Sequence, residues 1–152
     1  LEGRVAVTTP ISTDAATRGD LDTRAKIHDV VVDFYREIVF DDVLGPVFDE
    51  IAEVDWPTHI PKLIDYWCRV LLGERGYDGY FLGAHERVDG IEPFASAWFA
   101  RWLELWEASI DKEFAGPTAA RAKRHAQRMA GVLAKRLMGR DWQPEGACPA
   151  AS

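Results

Sequence analysis

The chain has 152 residues, a formal net charge of −7, 47% hydrophobic and 28% charged residues, which suits one globular domain with its own core and excludes a disordered polymer. The acidic balance repels phosphate backbones and anionic lipid, so general nucleic-acid and membrane-surface binding are disfavoured. Two cysteines are too few for a disulfide framework, and no run of eighteen apolar residues offers a bilayer span, so a cytoplasmic protein is expected.

Residues 1–20 carry Thr, Ser, Pro and Gly with weak periodicity and read as a flexible leader to a domain over 21–139. From about residue 23, Ile27, Val30, Val31, Phe34, Ile38 and Val39 recur at steps of three and four, which predicts an amphipathic helix with Tyr35 on its flank. Asp41-Asp42 and Leu44-Gly45-Pro46 break that helix, and a short turn or helix follows through Val47, Phe48 and Ile51. A second helix is expected over 56–72, with Ile60, Leu63, Ile64, Trp67 and Leu71 on one stripe and Cys68 as a small hydrophobe. Pro61 fits if Thr58 caps this helix; a start at Trp56 puts the proline inside it.

Gly73, Gly76, Gly79 and Gly83 predict a loop ahead of His85. The next helix is expected from Pro93 to Phe114. Phe94, Trp98, Trp102, Leu105 and Ser109 form one edge of it, and Phe99, Trp102, Trp106 and Ile110 the other. Trp102 belongs to both rows and should point inward. Gly116-Pro117-Thr118 opens a last helix with Ala122, Ala126, Met129, Leu133 and Leu137 buried; Gly139 ends it, and 140–152 read as a loose tail. The basic run Arg121 to Arg128 is interrupted at helical spacing and reads as a solvated face. No segment alternates with period two, so the fold class is all-α.

Four histidines are candidates for chemistry. His28 and His125 sit among charges on predicted helix surfaces and receive no role. His59 starts a helix and His85 follows a glycine-rich loop; taken alone, each reads as a surface or capping residue. CxxC, HExxH and ExxH motifs are absent, as is a glycine-rich phosphate loop after a strand. Nothing local marks Cys68 as activated. Six Trp and seven Phe either fill the core or line a cavity for a flat apolar molecule.

The order of the pieces carries more than any one of them. Phe34-Tyr35 is followed by Leu44-Gly45-Pro46-Val47-Phe48, then Trp56 with His59 three residues on, and Trp67 eight residues after that. Tyr77-Asp78-Gly79, His85 eighteen residues after Trp67, and Trp102-Leu103-Glu104-Leu105-Trp106 complete the series. Over residues 27–137 this resembles the third group of the truncated haemoglobins. The interval from His85 to Trp102 holds a few more residues than the family pattern, with Asp89-Gly90-Ile91 the natural place for them.

The resemblance implies a compact globin-like helical sandwich of about six helices around a pocket for haem b, held without covalent attachment since the chain has no CxxCH. It makes His85 the proximal iron ligand and His59 the distal histidine. Tyr35 and Trp102 become distal hydrogen-bond donors, and Leu63 an apolar pocket residue. Phe48 and Trp67 pack on the haem, and Lys62 is placed near a propionate. Iron then takes one imidazole and leaves the opposite face for dioxygen or another diatomic ligand. The alternatives are redox chemistry of nitric-oxide dioxygenase or peroxidase type, fed by an external reductase, and a cofactor-free helical interaction domain whose aromatics are only core.

Overall fold

A computed structural model describes residues 18–51, 54–75, 85 and 94–139. The expected leader up to 17, the loop glycines 76, 79 and 83, Tyr77, the break at Asp89-Gly90 and the tail from 140 lie outside the described residues. Within them the chain is helical, without strands, and no helix among them is long and apolar enough to cross a membrane.

Helix α1 spans Arg24–Val39, one residue inside the predicted start. Thr23 caps it, its hydroxyl accepting from the Lys26 amide at 3.3 Å. Ile27, Val30, Val31, Phe34, Tyr35 and Ile38 are buried along one face. Val39, predicted for the same face, is 47% exposed because it is the last helical residue, where the chain turns away. The Asp41 carboxylate accepts from the amides of Val43 and Leu44 at 3.1 and 2.9 Å and from Arg101 Nε at 2.7 Å. Gly45 follows where the backbone doubles back; a Cβ there would stand 3.0 Å from the Val39 carbonyl oxygen, which explains the glycine. The predicted short element is a π-helical turn over Val47–Ile51.

Helix α2 spans Trp56–Leu72, with Asp55 at its N-cap and Pro57 in the first turn. Capping by Thr58 is not what occurs. The Asp55 carbonyl already accepts from the His59 amide at 2.8 Å, so the helix begins earlier and Pro61 lies inside it. With no amide on Pro61, the Pro57 carbonyl loses its helical partner. Gly73 closes α2 at φ 71°, a left-handed position.

Helix α3, Ser96–Asp111, is shorter at both ends than the predicted Pro93–Phe114. Helix α4 spans Pro117–Met138 and ends at Gly139 with φ 70°. Its buried stripe is Ala119, Ala122, Ala126, Ala130, Leu133 and Ala134, whereas Met129 and Leu137 flank it half-buried. The small residues leave room for large rings opposite. Trp106, 1% exposed, fills that room and donates its indole N–H to the Ala122 carbonyl at 3.3 Å. Trp106 is therefore the inward-pointing tryptophan of α3, and Trp102, one turn earlier, is half-buried.

Helix α1 packs against α2 and α3, and α4 closes the bundle against α3 and α2. Arg18–Asp20, at the end of the segment read as a leader, are tied to this bundle. The Gly19 carbonyl accepts from the Ala115 amide at 2.9 Å. The Asp20 carboxylate takes the amides of Thr118 and Ala119 at 3.0 and 2.8 Å, satisfying the open first turn of α4.

Candidate functional site

Tyr35 is the hub of an aromatic cluster built by three elements. Its place next to Phe34 on α1 turns its ring, 6% exposed, toward the π-turn and the start of α2. Phe48 from the π-turn lies 6.0 Å from it, and Trp56 and His59 from the first turn of α2 lie at 5.4 and 5.6 Å. Phe48 and Trp56 stack on each other at 5.8 Å and 18°, and Trp56 meets His59 edge-on at 5.8 Å. The helical spacing of three between Trp56 and His59 places both rings on one side of α2.

The polar groups of this cluster are buried and directed. Burial pushes the Tyr35 phenol well above its ordinary range, while the Trp102 indole pulls the other way. Indole nitrogen only donates, so Trp102 can serve the Tyr35 oxygen but not its proton, which is left for a third group. Trp102 thus joins the site from α3, with its ring edge-on to Phe34 at 5.9 Å.

His59 Nε2 is buried without a hydrogen-bond partner; Arg18 Nε is the other such atom among the described residues. Burial, helped by the charges of His85 and Lys62, lowers the His59 pKa to about 4, so its imidazole is neutral at pH 7. A buried orphan nitrogen costs about 1–3 kcal/mol if left unsatisfied, so Nε2 is open to a further partner.

His85 is helical and half-buried, with its ring 6.0 Å from Phe94. Its charge is one of the causes that lower the His59 pKa. Leu63 is half-buried against the core one turn after His59, and Lys62 is exposed. Trp67 stands apart from the Tyr35 cluster. It is 2% exposed and stacks on Trp106 at 4.5 Å.

Two residues received less than the structure gives them. Trp56 was visible only as part of the WxxH spacing, yet it touches Tyr35, Phe48 and His59. His125 was read as a surface residue because its neighbours are charged. Its ring instead lies edge-on to Trp67 at 5.5 Å, with Nε2 2.7 Å from the Tyr66 hydroxyl. His28, by contrast, is exposed as expected.

No family model matches the chain. Over 81 residues it is 35% identical to the group 3 truncated hemoglobin ctb of Campylobacter jejuni, a match covering 51% of this chain and 61% of that protein's length. The crystal structure of the group III truncated hemoglobin from Campylobacter jejuni superposes with a TM-score of 0.66 at 29% identity, covering 76% of this chain and 91% of the other.

Proposed function

We propose that this chain is a truncated haemoglobin of the third group, on its likeness in sequence and in fold to the Campylobacter jejuni protein, and that it holds haem b noncovalently and binds dioxygen or another diatomic ligand. The observation that carries this reading is the buried, unpartnered Nε2 of His59, whose pKa the His85 charge helps to lower and whose ring stands beside Tyr35. An apolar, flat cofactor with a coordinating metal suits aromatic walls and two imidazoles. The haem supplies the iron at which the diatomic ligand binds.

The remaining chemistry belongs to the side chains. His85 would hold that iron, and His59 would face the bound ligand, neutral because burial resists its protonation. Phe48 and Leu63 exclude water from the cofactor, Trp67 keeps to the core against Trp106, and Lys62 offers a cation to a propionate at the exposed rim. Trp102, a donor only, acts on the Tyr35 oxygen, and the Tyr35 proton is left for a ligand atom that carries negative charge. In a dry pocket such a charge-assisted bond is stronger than a neutral one.

The same donor pair favours a second reading, redox turnover of the bound ligand with an external reductase, because donors that hold a ligand tightly suit chemistry as well as transport. Titrating purified protein with haemin tests the first claim. A saturable haem spectrum supports it, and free-haemin absorption throughout would leave a cofactor-free helical domain.

A further inference from the structure

A file of oxidisable rings leads away from the Tyr35 site through the core. Trp102, which shares the Phe34 ring as a neighbour with Tyr35, lies nearly parallel to Trp106 at 6.5 Å and 8°. Trp106 stacks on Trp67 at 4.5 Å and 23°, and Trp67 meets Tyr66 edge-on at 5.6 Å. Trp106 and Trp67 are sealed from water, whereas Tyr66, His125 and Met129 at the far end are half-buried. There the Tyr66 hydroxyl stands 2.7 Å from His125 Nε2 and 3.3 Å from Met129 Sδ.

We propose that Trp102, Trp106, Trp67 and Tyr66 form a one-electron conduit between the pocket and the protein surface, with His125 as the base that takes the Tyr66 proton. The proposal rests on the haem reading above. It extends that reading to a partner class: small one-electron reductants, of the ascorbate or thiol kind, delivering electrons at the Tyr66 end.

Packing alone does not require this choice of side chains. Phe34 touches Tyr35, Trp102 and Trp106 at 4.7, 5.9 and 5.1 Å and fills space as well as an indole does, but its ring is too hard to oxidise to carry charge. The indoles beside it are not. Trp106 aims its N–H at the Ala122 carbonyl, which is no base, so an oxidised Trp106 keeps its proton and passes its charge onward. Tyr66 differs because a phenol surrenders its proton on oxidation and an imidazole nitrogen is within reach. Burial, with the Arg128 charge, favours the neutral imidazole that this transfer needs. The Arg128 guanidinium lies 3.5 Å from Nδ1, at the long limit of a hydrogen bond, so the shorter Tyr66 contact orients the ring. A thioether is only a weak acceptor, so Met129 does not compete with His125 for the proton.

The oxidant class is a peroxide. Hydrogen peroxide takes two electrons and two protons to become two waters, leaving the pocket short of two electrons. One electron passes from Tyr66 through Trp67 and Trp106 to Trp102. The phenol O–H bond breaks, the proton moves to His125 Nε2, and a neutral phenoxyl remains. A soluble donor returns one electron while His125 returns the proton, and a second passage supplies the second electron.

Haem-loaded protein, its loading first recorded by absorption, is mixed with one equivalent of hydrogen peroxide and freeze-quenched for electron paramagnetic resonance. A tyrosyl signal is expected that changes shape when the tyrosines are ring-deuterated. Tyr66→Phe should abolish it, increase oxidation of Trp67 and Trp106 in peptide mass spectra, and speed haem bleaching. His125→Leu, by removing the proton acceptor, should alter the signal's g-values. Trp106→Phe, scored only if its helical circular dichroism is retained, should also suppress it. A tyrosyl signal that survives Tyr66→Phe, or no protein radical in the parent, overturns the conduit while leaving haem binding intact. Protein that takes up no haem overturns both.

Discussion

The Tyr35 ring of α1 stands edge-on to the His59 imidazole of α2, 5.6 Å away. The Trp102 indole, a donor only, acts on the same phenol from α3, which leaves the Tyr35 proton for a ligand. Tyr35→Phe removes a single hydroxyl and should speed oxygen release from the haem-loaded protein. A charge-assisted bond contributes about 1.5–3 kcal/mol, which converts to roughly a 10- to 100-fold faster release. Carbon monoxide carries less negative charge, so its release should change far less. Trp102→Phe should reproduce part of the effect by removing the indole donor, and the double variant should fall well short of the summed singles. Stopped-flow release rates check this; changes below about twofold in both variants would return the two residues to ordinary core packing.

His59 makes the haem-free protein acid-sensitive. Its folded pKa of about 4 lies below the ordinary 6.5, so the unfolded chain binds the proton more readily. The stability linked to this group is therefore complete above pH 6.5 and lost as pH falls through about 4. His59→Leu should flatten the dependence of the urea midpoint on pH across that window. An unchanged slope would contradict the buried, neutral imidazole.

Asp20 links residues before α1 to the start of α4. Burial would raise its pKa, but the amides of Ala119, Thr118 and Leu21 outweigh that and hold the carboxyl below 3.8. The stability it contributes is present above pH 3.8 and lost as pH falls through the lowered folded value. Asp20→Ala leaves those amides open and should cost about 0.5–2 kcal/mol in denaturant unfolding at pH 7, as for other lost caps. Asp20→Asn should keep part of the cap and remove the acid dependence.

Haem should stabilise the fold by mass action. At a free concentration one hundred times the dissociation constant the gain is about 2.7 kcal/mol, and it should appear as a higher melting temperature for the haem-loaded protein. Equal melting temperatures at saturating haem would contradict binding to the native state.

The apolar stripe of α1 was legible because a helix core face repeats at fixed steps, and the meeting of Tyr35 with Phe48 and His59 was foreshadowed by the order of short motifs. The phase of α3 was not. Trp102 and Trp106 lie one turn apart on the same apolar arc, and which of them is sealed depends on the alanines of α4, a tertiary fact without a local signature. His125 was obscured in the same way. Its charged neighbours mark a surface, yet small residues at 122 and 126 let its helix approach closely enough to set the ring against Trp67. Pro61 reads as a helix start only until the Asp55 carbonyl is seen taking the His59 amide.

The central claim, that His85 anchors a haem in this fold, is tested most directly by comparing haemin titrations of the parent and of His85→Ala by absorption and resonance Raman. A saturable haem spectrum with an iron–histidine stretch is expected in the reduced parent, and loss of that band with weak or heterogeneous haem retention in the variant. The same spectrum, the same stretch and the same haem retention in both proteins would contradict it.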